Sequence, residues 1–368
     1  MRIFVLILVS LCYSVLATGQ SSRPFLTDLT KNNADKYHPG LRAYASGNYE
    51  RAYELLQTAA PDEVPRRDAL LANALVYQRN RALLLKMLRT QPELVPDFHQ
   101  FYVQQPTPEI RLGEPEVSAA LTQNRFRAVL NGKDTVTILL DTGGSGAGIN
   151  AKWVETYELP TDTTLRSRGV LPAFNVAFFK HPTVIPRIDI GALTLRHIPA
   201  TYSVADPTST GTYTGPEFDI ILGLDVFIGY LDEVVFDWEN KMIRFRETAT
   251  AEAEQPFIFY NSKPFTAYRI DDEAYTTILD TGSRNDILDK EIYLKKYTKK
   301  EKKTYGEYTY YEYTVDLLSD GTDSLQLKIG DYTDDLHLVI GDEPVGLLLG
   351  NNHQRLVLNI KDNRFLLK

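Results

Sequence analysis

Between residues 34 and 89 the apolar positions recur at a helical period. Leu41, Tyr44, Ala45, Tyr49, Ala52, Tyr53, Leu55 and Leu56 follow it, with Gly47-Asn48 as a break. Pro61 and Pro65 mark a turn before a second helix around Ala69 to Tyr77, and Asn80 precedes a third from Ala82 to Leu88. The stretch Gln104-Gln105-Pro106-Thr107-Pro108 is rich in proline and reads as a linker. Beyond it the pattern changes to short apolar runs set between polar turns.

Two of those runs end alike. Thr137-Ile138-Leu139-Leu140 leads into Asp141-Thr142-Gly143-Gly144, and Thr277-Ile278-Leu279 leads into Asp280-Thr281-Gly282-Ser283. Eight residues past each aspartate stands an aliphatic side chain, Ile149 or Leu288, followed by a capping type, Asn150 or Asp289, that opens a short helix. Further on, Ile220-Ile221-Leu222-Gly223 is matched by Leu347-Leu348-Leu349-Gly350. A strand pair around a polar turn follows each, Val234 to Phe245 in the first copy and Leu356 to Phe365 in the second. A single Asp-Thr-Gly arises by accident in roughly one chain of this size in ten. Two, each in this context, make one architecture written twice.

These residues resemble the pepsin and retropepsin superfamily of aspartic proteases, and Val129-Leu130-Asn131-Gly132-Lys133 through Asp141-Thr142-Gly143 is most similar to its retropepsin-like bacterial members. The resemblance runs from about Glu116 to Lys368. It implies a mainly β, bilobal fold, here preceded by a small α-helical domain, with Asp141 and Asp280 facing each other on the floor of a cleft. The boundaries it suggests are a signal peptide at 1–19, the helical domain at 20–105, a linker at 106–116, one lobe at 117–250 and the other at 251–368.

Close carboxylates cannot both ionise, so in this superfamily the pair shares one proton. The ionised member takes a proton from water as it attacks the peptide carbonyl, and the protonated member donates toward the carbonyl oxygen. Asp141 and Asp280 are the expected catalytic residues. Thr142, Gly143, Thr281, Gly282 and Ser283 are expected to support them: a threonine hydroxyl can tie the loops together, and glycine lets backbone approach the carboxylate. Ser283 can hydrogen-bond Asp280 and favour its ionised form, whereas Gly144 offers Asp141 no side chain, so Asp280 is expected to ionise the more readily. The chemistry needs no metal and no cofactor.

Composition narrows the class further. With 43% hydrophobic and 24% charged residues the chain reads as globular, and its net charge of −8 disfavours nucleic acid as a partner. Met1-Arg2 precedes an apolar run from Ile3 to Leu16, which reads as a secretory signal cleaved after Ala17 or Gly19, so a periplasmic or secreted protein is expected. No later apolar stretch is long enough to span a membrane as a helix. The one cysteine, Cys12, lies within that signal, which leaves no disulfide; the competing reading of a lipid anchor at Cys12 is disfavoured by the bulky Leu11. The expected partner is a peptide or protein substrate, and the expected state a monomer.

Three features stay open at this level. Ala45 to Ala52 is similar to part of a tetratricopeptide repeat, against the plainer reading of a helical cap or spacer. The lysines and tyrosines of Lys295 to Tyr313 suit a solvated helix end running into a hairpin, or a wall of the cleft. A flap should fall between Arg166 and Ala200, where Phe174, Phe178 and Phe179 read as core. The six histidines have no metal spacing, and no serine nucleophile elbow occurs. Three functions are therefore weighed: an exported aspartic endopeptidase, an inactive peptide-binding scaffold with the same fold, and a zymogen-like form whose helices cover the cleft.

Overall fold

The computed structural model describes residues 37–60, 63–64, 67–78, 81–90, 97–122, 124–171, 176–208, 218–260, 262–270, 273–282, 287–289, 303–310, 313–319, 325–329, 332–336, 339–341, 346–348 and 353–368. The signal, Phe174, Ser283, Gly350 and the lysine run before 303 lie outside the described residues.

Helices α1 (Pro39–Ala45), α2 (Tyr49–Leu56), α3 (Arg67–Tyr77), α4 (Arg81–Thr90) and α5 (Asp97–Tyr102) form the first layer. The break at Gly47-Asn48 has a physical basis. Gly47 takes a φ of +78°, and the Asn48 side chain accepts from the Arg51 N–H to cap α2. A side chain at Gly47 would run into Asn363, at the last turn of the chain, so the break is also a contact between the helices and the β region. An aromatic cluster extends that contact: Tyr44 packs edge-on to Tyr49 and Tyr260, and Tyr77 edge-on to Phe259. The helical layer and the body thus share one core.

Within the expected linker, Glu109–Leu112 is a strand, paired antiparallel with Leu193–Ala205. That strand is one of an eight-stranded sheet of the first lobe, which closes on itself because the long hairpin Val176–Ile190 and Leu193–Ala205 pairs along its length as well as with strands on either side. In the region expected for a flap, Ser167–Leu171 pairs antiparallel with Val176–Lys180 at one edge of this sheet. Phe178 is buried, as a core residue should be, and the half-buried Phe179 carries Arg166 over its ring. The second lobe has its own eight-stranded sheet, and the tyrosine-rich segment supplies a separate hairpin, Lys303–Tyr310 with Tyr313–Ser319.

The lobes are joined by a six-stranded antiparallel sheet in which the repeated strand pairs meet. Val235 lies opposite Val357, with Val234 opposite Leu358 and Phe236 opposite Leu356. These are equivalent positions of the two copies, so a local twofold axis passes between Val235 and Val357. The turns match too: Lys241 and Asn363 hold φ of 54° and 52° at equivalent places.

Candidate active site

In each lobe a strand delivers its aspartate to the floor. Asp134–Asp141 buries Val136, Ile138 and Leu140 on one face, and Glu273–Leu279 buries Ile278 and Leu279 before reaching Asp280. The apolar-glycine strand runs parallel beside it, Ile220–Gly223 in the first lobe and Gly346–Leu348 in the second. Each such strand also pairs antiparallel with the segment after the aspartate loop, Ala147–Ile149 or Ile287–Asp289. Asn150 then caps the helix Ala151–Thr156 by accepting from Lys152 N–H, as its residue type predicts. The registers differ by one residue: Leu140 faces Leu222 and Asp141 faces Gly223, whereas Leu279 faces Leu348 and not Leu349.

The two threonines interlock. Thr142 N–H donates to Thr281 Oγ1 at 3.0 Å and Thr281 N–H to Thr142 Oγ1 at 3.0 Å. Each hydroxyl passes its own proton to a carbonyl of the opposite lobe, Thr142 to Leu279 O at 2.5 Å and Thr281 to Leu140 O at 2.7 Å. Both side chains are fully buried, so these four bonds are made without competition from water.

The glycines cross over in the same way. A Cβ on Gly143 would sit 2.3 Å from Asp280 Cγ, and one on Gly282 would sit 2.5 Å from Asp141 Cγ. Each loop therefore lies against the other lobe's carboxylate, closer than any side chain allows. Asp141 and Asp280 are brought within hydrogen-bonding reach of one another. Their surroundings are unequal. Asp280 is 1% exposed and accepts from Gly282 N–H at 2.8 Å, while Asp141 keeps partial exposure.

The Asp141 carboxyl is pushed well above the ordinary carboxylate range, first by burial, then by the charge of Asp280 and the hydrogen bond between the two. The Lys263 ammonium and the Gly144 N–H favour its ionised form but are outweighed. Lys263 is 1% exposed, at the start of the strand Lys263–Ile270. It also lies close enough to Lys180, on the strand Val176–Ile190, to help burial push that ammonium down to about 8.

Sequence reasoning missed three supporting residues. Buried Asn124 donates from Nδ2 to Thr281 O across the lobes and accepts from Trp238 Nε1 at 2.8 Å. No motif marks it. Buried Lys263 has no local signal either. Asp225 accepts from Gly146 N–H at 2.8 Å and so pins the first loop. Asp225 and Asn352 both stand two residues past the glycine of their copy, a correspondence that could have found it. Among the described residues no group of three or more histidines, cysteines or acids is placed to hold a metal, and no helix is long and apolar enough to cross a membrane.

Residues 126–226 match the aspartyl protease family. The match spans the first aspartate strand, its loop and the apolar-glycine strand. Among solved structures the chain is similar to an aspartic proteinase from Irpex lacteus, at 12% identity over 68% of this chain and 96% of that one, with a TM-score of 0.41. A retropepsin-like aspartic protease from Rickettsia conorii is 14% identical over 38% of this chain and 90% of that one, with a TM-score of 0.23. No curated protein matches the chain.

Proposed function

We propose that this aspartyl-protease-like chain is an exported, monomeric endopeptidase that hydrolyses peptide bonds with Asp141 and Asp280 as its catalytic pair. The observation that carries the reading is the reciprocity of the two loops: each glycine backs onto the other lobe's carboxyl, and each threonine bonds the other's backbone. Both aspartates come from one chain, which supports a monomer. Export rests on the apolar run Ile3 to Leu16 behind Arg2.

The unequal surroundings suggest a division of labour. Asp141, whose carboxyl is pushed upward, holds the shared proton, and Asp280, braced by the Gly282 N–H, acts as the base. Asp280 takes a proton from a water as its oxygen attacks the carbonyl carbon, while Asp141 gives its proton to the carbonyl oxygen. The gem-diol then collapses as Asp280 gives its proton to the leaving nitrogen and Asp141 takes one back from a gem-diol hydroxyl, which leaves the pair with one proton again. Loss of the Asp141 proton ends this cycle, so activity should fall as pH rises through its raised pKa.

Digestion of a complex peptide pool, followed by mass spectrometry, tests the reading. Wild-type protein should produce a reproducible set of internal cleavages, and Asp141→Asn and Asp280→Asn should each lower the rate by about 10²-fold or more with the fold intact by circular dichroism. Near-normal cleavage by either variant would overturn the assignment of the pair.

A further inference from the structure

A cavity of about 810 Å³ lies where the helical layer meets the first aspartate loop. That is within the range of ligand pockets, roughly 300–1,000 Å³. Val76, Phe98 and Tyr102 line it from the helices, and Ser145 and Gly146 from the loop that begins at Asp141. Gly146 holds a φ of +68° and has open space where its side chain would be, so the backbone just past the aspartate is bared to the cavity.

The walls are built to hold their shape. Gly146 is pinned on both sides, its N–H by Asp225 and its carbonyl by the Gly223 N–H at 2.7 Å. On the helical side Tyr102 donates its hydroxyl to Ala200 O at 2.7 Å, and the Tyr77 and Ser262 hydroxyls meet at 2.6 Å. Their surface is mostly apolar. His99 adds an imidazole whose buried Nδ1 has no hydrogen-bond partner and whose pKa burial pushes down to about 4, so the ring is uncharged above that pH. Charge reaches the wall at Asp97, Arg166 and Asp225, of which Asp225 is already engaged by the loop.

We propose that this cavity is a substrate subsite, shared between the helical layer and the first aspartate loop, that takes a bulky apolar side chain of the peptide on the Asp141 side of the scissile bond. The proposal rests on the endopeptidase reading above. Its occupant is argued from placement: Ser145 and Gly146, on the loop that begins at Asp141, line a largely apolar cavity. The helices then act as a specificity wall, and the protease body alone would not form the subsite.

The test uses the full-length protein and peptide pairs that carry Phe or Ala at one position in turn around a mapped cleavage site. Wild-type should favour Phe at one position by about ten-fold or more in kcat/KM, and Phe98→Ala should shrink that ratio several-fold while changing the Ala peptide by less than about three-fold. Val76→Trp, which fills the cavity from the other side, should shrink it as well. Ratios that stay at the wild-type value in both variants overturn the subsite and leave the endopeptidase reading standing. A uniform gain in kcat/KM on every peptide would also overturn it, since the helices would then be a cover.

If no peptide is cleaved, one peptide carrying Phe or Ala at each position in turn is measured for affinity to full-length Asp141→Asn protein, alone and with Phe98→Ala. A Phe preference that Phe98→Ala removes keeps the subsite and sinks only the catalytic reading. Equal affinities throughout overturn the subsite.

Discussion

The Asp141 loop and the Asp280 loop are alike in what their backbones do and unlike in what surrounds their carboxyls. Each threonine accepts one N–H from the opposite lobe and donates to one carbonyl there, and each glycine covers the opposite carboxylate. Yet Asp280 is almost fully enclosed and Asp141 is not, and Lys263, from the second lobe, adds a charge that acts on Asp141. The repeat thus supplies a symmetric frame, and the side chains outside the repeat break the symmetry. A shared proton needs both: a frame that forces two acids together, and a difference that decides which one keeps it.

Breaking the frame should have the largest effect. Gly143→Ala would drive a methyl group into Asp280, and Gly282→Ala into Asp141, so each displaces the other lobe's acid. A displacement of about 1 Å is enough to cost on the order of 10²-fold in rate. Both variants should lose at least that in kcat, and equal losses would confirm that the frame is symmetric. A variant with wild-type kcat would show that the loop relaxes without moving the carboxyl.

The threonines test the same frame through stability. Thr142→Val leaves the Thr281 N–H and the Leu279 carbonyl without partners, and Thr281→Val does the same to the Thr142 N–H and the Leu140 carbonyl. Each should lower unfolding stability by about 2–4 kcal/mol, read from urea titration. The two substitutions remove different bonds, but the double variant should lose less than the sum, because parting the loops at one threonine already loosens the bonds made by the other. Strict additivity would mean that the two lobes do not hold each other at this point.

How much of this was legible in the residues depends on the range of the interaction. The helices could be read because Gly47, Asn48, Pro61 and Pro65 act within a few residues of themselves. The repeat could be read because the same pattern occurs twice, and the mainly β, two-lobed fold was what the resemblance of its motifs implied. That the strand pair ending in Phe245 joins the one ending in Phe365 could not, since neither carries a mark of its partner; only the equivalence of Val235 and Val357 across the axis reveals it. Asn124 and Lys263 escaped notice for the same reason. Their roles depend on residues far away in the chain, and local pattern carries no record of that.

Lys263 offers a way to sharpen the difference between the loops. Its ammonium favours the ionised form of Asp141, so Lys263→Met, which keeps the length of the side chain, should raise an already raised pKa. In the proposed cycle Asp141 must carry the proton, so activity should be lost as pH rises through that pKa. The alkaline limb of kcat/KM should therefore move to higher pH. A limb that stays in place would show that the charge of Lys263 is spent on its other neighbours.

Gly144→Ser gives the smallest and most local change, and its sign is opposite. A Cβ at this position would lie 3.0 Å from Asp141 Oδ2 and 3.2 Å from Asp141 O, so the loop must yield by a few tenths of an ångström, which no backbone strain at this residue forbids. The new hydroxyl then stands within reach of the carboxylate and can donate to it, stabilising the ionised form against burial and the charge of Asp280. The Asp141 pKa should fall and the alkaline limb should move to lower pH. The acid limb should follow by less, because in the singly protonated pair the charge rests mainly on Asp280. The shift should be well under that of a full opposite charge, on the order of half a pH unit to one unit, since a single hydrogen bond to an ionised group contributes about 1.5 kcal/mol or somewhat less in a partly exposed site. Combined with Lys263→Met, the two shifts should largely cancel if both act on Asp141. If the limbs move by the sum of unrelated effects, or if Gly144→Ser moves the acid limb alone, then Asp280 and not Asp141 holds the proton, and the division of labour between the two loops is the reverse of the one drawn here.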